Sequence, residues 1–452
     1  MKKFYTPMAK AVNVLLMLTP FLCCWFLYYE PRTMTVNSRQ VSAILIVLYA
    51  IAYYHIARKL DGFRLQIAQI RDMAFGQIIA VGATDCAAFL VIWMLSIHCP
   101  NIWPGMAAFA CQCALGTAWA LVAHRMYFAA HPPLKSAIVY DMRQGMEKLI
   151  SAYGLEARYD VRRSFAVEEV TRDLSVLDGY SEVFLSGVHT HERNVILKYC
   201  LLHNIRALVI PRIGDVLMSA AEPLHMFHLP IEYCRRSAPP LEYRIAKRVM
   251  DIVVSALALA ALSPLMLATA LAVKSDGGPA LYKQVRLTKD GKQFHILKFR
   301  SMCVDAEKYS GAVLSAGERD PRVTKVGRVI RACRVDELPQ LLNILKGDMS
   351  LVGPRPERPE IAAEYEKKLP EFALRLQVRA GLTGYAQVYG KYNTTPYDKL
   401  LMDLMYIAKP GILEDLCILL ATVKILASRE STEGVGEEKA ELKYSARDKA
   451  AG

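Results

Sequence analysis

The chain has 452 residues, a hydrophobic fraction of 53% and a formal net charge of +13. The apolar residues are bunched and the basic residues lie between the bunches, which is unusual for a soluble protein and indicates a membrane protein with anionic partners. The eleven cysteines form no CxxC pair, and several lie inside apolar runs, so we expect reduced, structural thiols. Charge alone does not distinguish nucleotide, phospholipid, lipid phosphate and nucleic acid as the anion.

Four apolar stretches come first, and each is near the length that a helix needs to cross a bilayer. They cover residues 11–29, 41–57, 76–97 and 103–124. The first stretch has no small-residue cleavage site, so we expect it to remain as an anchor. Basic residues (Arg58, Lys59, Arg64 and Arg71) follow the second stretch, whereas none follows the third before residue 102. This asymmetry predicts a cytoplasmic N-terminus and, after four crossings, a cytoplasmic remainder.

From about residue 135, short β-like runs alternate with helical runs, which predicts a parallel sheet in a Rossmann-like βαβ domain. The strands are expected at 137–140, 182–185 and 207–210, with helices at 144–153, 167–177 and 193–203. The first strand is not followed by GxGxxG, which argues against a dinucleotide site. A regulatory or dimerising module is the functional alternative.

A fifth apolar run, residues 249–273, is interrupted by Ser263 and Pro264. Proline removes the amide hydrogen bond to Ala260, so the helix is expected to kink or break there. Both flanks are basic, which favours a re-entrant helical hairpin over an ordinary kinked span. The sequence thus predicts four domains: transmembrane helices (1–130), the βαβ domain (131–240), a hairpin-anchored α/β domain (241–428) and a disordered tail from 429.

A short leucine-rich segment is predicted to begin a helix at an acidic pair. The leucines at 338, 341, 342 and 345 share one helical face, and Gly347 is a natural stop. Because Pro339 is tolerated only in a first turn, the helix is expected to start near Asp336. Asp336 would then cap it beside free amides that also attract phosphate, which makes its carboxylate a candidate nucleophile toward phosphorus. The alternative is that Asp336 only caps the helix and Glu337 decorates its first turn.

Basic residues surround this acidic pair. Arg331 and Arg334 precede it, and Arg355 follows the helix between two prolines, which fix the backbone for bidentate recognition of phosphate. A Gly/Thr-rich segment, residues 380–390, is able to bring backbone amides close to a ligand.

These motifs together resemble the bacterial sugar transferase family, the monotopic polyprenyl-phosphate hexose-1-phosphate transferases. The resemblance covers about residues 243–428. It is carried by the motifs at 247–251, 263–264, 298–302, 336–340, 345–356 and 381–388.

The resemblance implies that a sugar 1-phosphate moves from a UDP-sugar to undecaprenyl phosphate through an aspartyl phospho-sugar on Asp336, with release of UMP. It implies Mg²⁺ held by Asp336 and Glu337. The phosphate ligands would be Arg331, Arg355, Lys298 and Arg300, and the nucleotide-sugar contacts would be Thr383, Gly384 and Gln387.

The expected setting is the bacterial inner membrane, with a multi-pass chain, membrane lipid around it and the catalytic domain on the cytoplasmic face. The reaction would prime O-antigen, capsule or exopolysaccharide synthesis, without a nucleic acid partner. A metal-dependent glycosyltransferase that releases UDP is a rival enzyme, and a non-catalytic scaffold or regulator of polysaccharide assembly is a rival of another class. The sugar and the oligomeric state, a homodimer included, stay open.

Overall fold

The computed structural model describes residues 2–33, 38–141, 143–303, 322–390, 395–427 and 443–444. It is mostly helical, with several long apolar helices and a parallel sheet. The chain divides into two compact units, the first ending at Ile210 and the second beginning at Pro211. The predicted disordered tail lies outside the described residues, except for a two-residue strand at Lys443–Tyr444 that belongs to the first unit.

The first unit starts with four long helices, α1 (Lys2–Cys24), α2 (Ser38–Lys59), α3 (Ile70–Met94) and α4 (Trp103–Ala130). Each is long and apolar enough to cross a membrane. Buried polar side chains join them: the Tyr53 hydroxyl donates to Asn13 Oδ1 at 2.7 Å, and Asn13 Nδ2 donates to Gln77 Oε1 at 3.2 Å. Such interhelical bonds hold apolar helices together where lipid removes the hydrophobic driving force.

The remainder of this unit is a four-stranded parallel sheet with the order β3-β1-β4-β5. Its elements are β1 (Leu134–Tyr140), β2 (Arg143–Gln144), α5 (Met146–Ala152), β3 (Tyr159–Ala166), α6 (Val167–Arg172), β4 (Glu182–Ser186), α7 (Thr190–Leu202) and β5 (Arg206–Val209). The parallel sheet is as predicted. Strand β3 was not anticipated, because only its residues Tyr159 and Phe165 are buried and no clean alternation marks it.

The second unit contains the remaining elements. They are α8 (Ile213–Met218), β6 (Glu222–Met226), β7 (Leu229–Tyr233), α9 (Leu241–Ser275), β8 (Leu281–Leu287), β9 (Gln293–Phe299), α10 (Lys325–Ala332), α11 (Gln340–Lys346), β10 (Ser350–Val352), α12 (Pro359–Lys368), β11 (Gly381–Thr383), α13 (Tyr385–Tyr389), α14 (Pro396–Ala408) and α15 (Ile412–Ala427). Ile344, Met349 and Phe372 lie at the centre of its core. Ile213 and Val216 of α8 belong to the same core, so this unit begins about a helix and a hairpin before residue 241.

Helix α9 is long enough to cross a membrane, and it is uninterrupted at Ser263 and Pro264. Of the two predicted outcomes, a break in helical structure is therefore wrong, and a kink at Pro264 stays a prediction. Pro264 cannot donate to the carbonyl of Ala260, but the Ser263 hydroxyl donates to that same oxygen at 2.8 Å. The side chain thus supplies the hydrogen bond that the proline removes.

Both halves of α9 form hydrogen bonds with other elements of the second unit. In the first half, Arg248 donates from both terminal nitrogens to the carbonyls of Ile344 and Leu345, at the C-terminus of α11. In the same half, Asp251 accepts from the Leu351 amide at 3.0 Å. In the second half, the Val273 carbonyl accepts from Arg300 at 3.0 Å. The helix is therefore anchored to one folded body on both sides of Pro264.

Candidate active site

The acidic pair lies on a single turn of 3-10 helix, Val335–Glu337. Arg334, just before the turn, has a left-handed backbone with φ of 52° and redirects the chain after α10. Helix α11 begins only at Gln340, with Pro339 at its N-cap. The prediction that Asp336 caps this helix is therefore wrong, and the helix dipole does not explain an anion site here. The helix ends at Gly347, as predicted.

Glu337 is the most strongly held member of the pair. Its Oε1 accepts from Lys298 Nζ at 2.8 Å and from Arg355 Nη2 at 3.1 Å. Burial alone would raise the pKa of Glu337, but the charges of Lys298 and Arg355 hold that pKa well below its usual range. Glu337 is therefore an ionised carboxylate between two cations.

Asp336 is buried but lacks such partners. Among the described residues, no hydrogen bond or ion pair holds its carboxylate, although the residue is only 9% exposed. Burial and the adjacent Glu337 charge raise the pKa of Asp336, against the lowering effect of Lys298, Arg331 and Arg355. A carboxylate without hydrogen bonds keeps its lone pairs available for attack on an electrophile.

Lys298 and Arg331 reach this turn through precise local packing. Asn343 on α11 accepts from the Leu297 amide at 3.0 Å and donates to the His295 carbonyl at 2.8 Å, which fixes strand β9 and therefore Lys298. Arg331 donates from Nε to Ser301 Oγ at 2.9 Å. Sequence reasoning missed Asn343, because a buried asparagine in a leucine-rich helix gives no signal of its partner.

The segment that carries Arg355 is fixed at four successive carbonyls. Two of them accept from backbone amides: the carbonyl of residue 354 from Gly381 at 2.9 Å and that of residue 357 from Leu287 at 3.0 Å. The other two accept from arginine side chains: the carbonyl of residue 355 from Arg375 at 2.9 Å and that of residue 356 from Arg286 at 3.1 Å. The prolines on either side restrict φ as well. The structure thus supports the expectation that Arg355 is presented from a rigid backbone.

Arg375 supports this segment, and no sequence motif indicates that role. It is 3% exposed, and its Nε and Nη2 pair with Asp403 Oδ2 at 2.9 and 2.6 Å. The same Nη2 donates to the Arg355 carbonyl at 2.9 Å. Only the tertiary fold brings these three distant residues together, so no local pattern predicts them.

The four predicted phosphate ligands do not share one environment. Lys298 and Arg355 bond Glu337, and Arg331 lies close enough to influence Asp336. Arg300 is instead buried, and its Nη2 donates to the Val273 carbonyl of α9. Its described bond therefore serves the anchoring of α9, and phosphate binding by Arg300 remains a prediction.

The Gly/Thr-rich segment has a packing role in the structure. A Cβ at Gly381 would overlap the Gly353 amide nitrogen, and one at Gly384 would overlap the Gly353 carbonyl oxygen. These glycines therefore let two backbones touch each other. The Gly381 amide donates to the Pro354 carbonyl at 2.9 Å, and a nucleotide-sugar contact at Gly384 stays a prediction. Thr383 is buried and its hydroxyl bonds Thr422 on α15 at 2.7 Å. Gln387 is the candidate that the structure favours most, because both polar atoms of its side chain are buried without a partner among the described residues.

The acidic pair offers ligands for one divalent cation. Among the described residues no group of three or more His, Cys, Asp or Glu side chains could hold a metal. Mg²⁺ nevertheless suits such a pair, because it is commonly held by one or two carboxylates together with substrate phosphates and water. The second oxygen of Glu337 and the carboxylate of Asp336 fit that role.

Comparison with known proteins identifies the same family that the motifs of residues 243–428 resemble. The sequence model described as bacterial sugar transferase matches residues 242–429. The chain is 37% identical to the UDP-N-acetylgalactosamine-undecaprenyl-phosphate N-acetylgalactosaminephosphotransferase of Aeromonas hydrophila, over 51% of this chain and 54% of that protein. It is 43% identical to the UDP-glucose:undecaprenyl-phosphate glucose-1-phosphate transferase of Caulobacter vibrioides, over 43% of this chain and 74% of that protein. A third relative, the enzyme with the same name in Escherichia coli, is 40% identical over 40% of each chain. The match thus spans about half of the first relative and three quarters of the second.

Proposed function

Because the chain belongs to the bacterial sugar transferase family, we propose that it transfers a hexose 1-phosphate from a UDP-sugar to undecaprenyl phosphate. The observation that carries this proposal is the Asp336 carboxylate, which lacks a hydrogen-bond partner among the described residues and lies beside Glu337, Lys298 and Arg355. The names of the relatives support the acceptor and the class of reaction.

The proposed reaction has two displacements at one phosphorus. An oxygen of Asp336 attacks the β-phosphorus of the UDP-sugar, the bond to the bridging oxygen breaks, and UMP leaves. An oxygen of undecaprenyl phosphate then attacks the aspartyl phospho-sugar and restores the carboxylate. Lys298 and Arg355 lie where positive charge offsets the oxygens of the transition state, which is the main contribution that a protein makes to such transfers. Asp336 and Glu337 would hold Mg²⁺, which would supply further positive charge for the phosphate oxygens.

The membrane arrangement is part of the proposal. Helices α1–α4 cross the inner membrane, and the parallel sheet of the first unit is a Rossmann-like domain. Helix α9 kinks at Pro264, and it therefore enters and leaves on the cytoplasmic face. The bonds of Asp251 and Val273 to the same unit support this re-entrant arrangement, because a straight crossing of roughly 30 Å would separate them by a bilayer. An epitope tag added after Gly452 should resist protease in intact spheroplasts and be cleaved after lysis, and cleavage in intact spheroplasts would contradict the topology.

The reaction is tested by incubating the purified chain with undecaprenyl phosphate and a panel of UDP-sugars, with detection of the nucleotide product. We expect UMP with at least one sugar. Release of UDP would support the direct glycosyltransferase, and no nucleotide release with any sugar would support the scaffold. With a radiolabelled sugar and no acceptor, the label should remain on wild-type protein and be absent from Asp336→Asn.

A further inference from the structure

A cavity of about 410 Å³ lies within the first unit. Its wall is formed by the loop between α2 and α3, the first turn of α3, the last turns of α4 and the segment from α5 to β3. The volume lies in the range of roughly 300–1,000 Å³ that is usual for small-molecule sites. No residue assigned to sugar-phosphate transfer belongs to this wall.

The cavity wall carries positive charge. Arg71 and Arg158 line it, and among the lining residues that the structure describes there is no Asp or Glu. Arg158 shares an acidic partner with Arg206: Glu182 Oε1 is 3.5 Å from Arg158 Nη2 and 2.9 Å from Arg206 Nη2. One carboxylate cannot fully offset two guanidinium groups, so Arg158 retains positive charge that favours an anion.

Arg158 is itself an unusual residue for a protein interior. It is 7% exposed, and its terminal nitrogens donate to the Tyr127 hydroxyl at 3.0 Å and to Gln66 Oε1 at 3.2 Å. Its Nε is buried without a hydrogen-bond partner in the described part of the chain. Burying a cation with an unused donor costs free energy unless an anion or another acceptor is nearby.

The N-terminus of α3 meets the same cavity. This helix has 25 residues, and Gln69 at its N-cap makes no side-chain capping bond. Gln69, Ile70 and Arg71 all line the cavity. The first-turn amides and the positive end of the helix dipole are therefore added to the charge of the arginines, on the side where an anion would lie.

We propose that this cavity binds a phosphate group, carried either by a soluble phosphate ester or by a phospholipid headgroup. The phosphate is held between Arg158, Arg71 and the N-terminus of α3, and Phe128 and Tyr153 provide ring surfaces for the rest of the ligand. Both sources have access, because the wall includes the ends of two helices that are long enough to cross a membrane.

The test uses the full-length chain in phosphatidylcholine nanodiscs. Inorganic phosphate and UMP are titrated calorimetrically, and retained phosphatidic acid is counted by native mass spectrometry after its addition to the disc lipid. The main variant is Ala157→Glu, which places a carboxylate on the cavity wall at an exposed position. Its matched control is Ala152→Glu, which adds the same charge at an exposed position outside the wall. Arg71→Gln and its control Arg58→Gln repeat the comparison by removing a charge, and all four positions avoid the buried Arg158.

We expect Ala157→Glu and Arg71→Gln to weaken binding of at least one probe by about tenfold or more, whereas their controls bind as wild type does. Weaker binding of phosphate and UMP identifies a soluble ester, and loss of retained phosphatidic acid identifies a headgroup. The variants also separate this cavity from any UMP bound at Asp336. Equal binding of all three probes by wild type and both cavity variants would overturn the proposal, independently of whether the chain transfers sugar phosphate.

Discussion

The turn at Val335–Glu337 and the segment around Arg355 lie side by side but are held in opposite ways. In the arginine segment, four successive carbonyls are bonded and the backbone is fixed. In the acidic turn, Glu337 is bonded by two cations, while Asp336 has no hydrogen bond from the described residues. In the proposed reaction, the backbone that carries Arg355 is fixed. The carboxylate of Asp336, the proposed nucleophile, has no competing partner among the described residues.

The comparison assigns a different consequence to each residue. Loss of the unbonded carboxylate should remove chemistry without affecting the fold, whereas loss of a support in the arginine segment should misplace a charge. The following variants test that difference, in order of decreasing effect.

Asp336→Asn should reduce turnover by more than about 10³-fold, because an amide is not a nucleophile toward phosphorus. Its thermal unfolding should match that of wild type, because no described residue bonds the carboxylate. UMP release and the unfolding temperature are measured on the same preparation. Turnover within tenfold of wild type would remove Asp336 from the nucleophile role.

Arg355→Lys should reduce kcat/KM by about 10²-fold, because an ammonium keeps the charge but not the planar fork. Arg328→Lys is the matched control, because Arg328 is exposed on α10 and is not one of the residues assigned to the candidate site. Steady-state rates over a range of UDP-sugar concentrations provide the comparison. Equal rates for the two variants would show that the fork of Arg355 is not needed.

Arg375→Lys should reduce kcat by about tenfold, because an ammonium can pair with Asp403 but cannot also hold the Arg355 carbonyl in the same geometry. Leu400→Ala is the control for destabilisation, since it removes core packing but no charged group of this network. If both variants lose the same stability and the same activity, Arg375 supports the fold and not the position of Arg355.

Glu337→Gln should move the acidic limb of the pH–rate profile to lower pH. Asp336 must be ionised to attack, and the Glu337 charge contributes, after burial, to the raised pKa of Asp336. Removing that charge lowers the pKa of Asp336, so the carboxylate remains ionised at lower pH. The profile of kcat/KM is measured with Glu364→Gln as an exposed control, and a limb that moves to higher pH would contradict this interpretation.

Local patterns predicted much of the framework. Apolar length gave the long helices, and the alternation of runs gave the parallel sheet of the first unit. The glycine at the end of α11 was also found, because a left-handed C-terminus has a simple sequence signal. Each of these features depends on residues close together in the chain.

The errors arose where a missing donor was replaced or a support came from far away. Pro264 was expected to kink or break α9, but no break occurs, because the Ser263 hydroxyl donates to the Ala260 carbonyl that the proline cannot reach. Asp336 was expected at a helix cap, but Pro339 occupies that position and the acidic pair forms a separate turn. Arg375 belongs to the site only through tertiary contacts, which no pattern in a single sequence reports.

The contact between Gly353, Gly381 and Gly384 limits how this part of the chain can vary. A methyl group at any of the three would meet backbone atoms, which cannot rotate away as a side chain can. A second substitution therefore cannot relieve the overlap, because none of the three contacting residues has a side chain that could be made smaller. In a library in which all three codons are randomised together, functional clones should retain glycine at all three positions. No other combination of residues at these positions should restore activity.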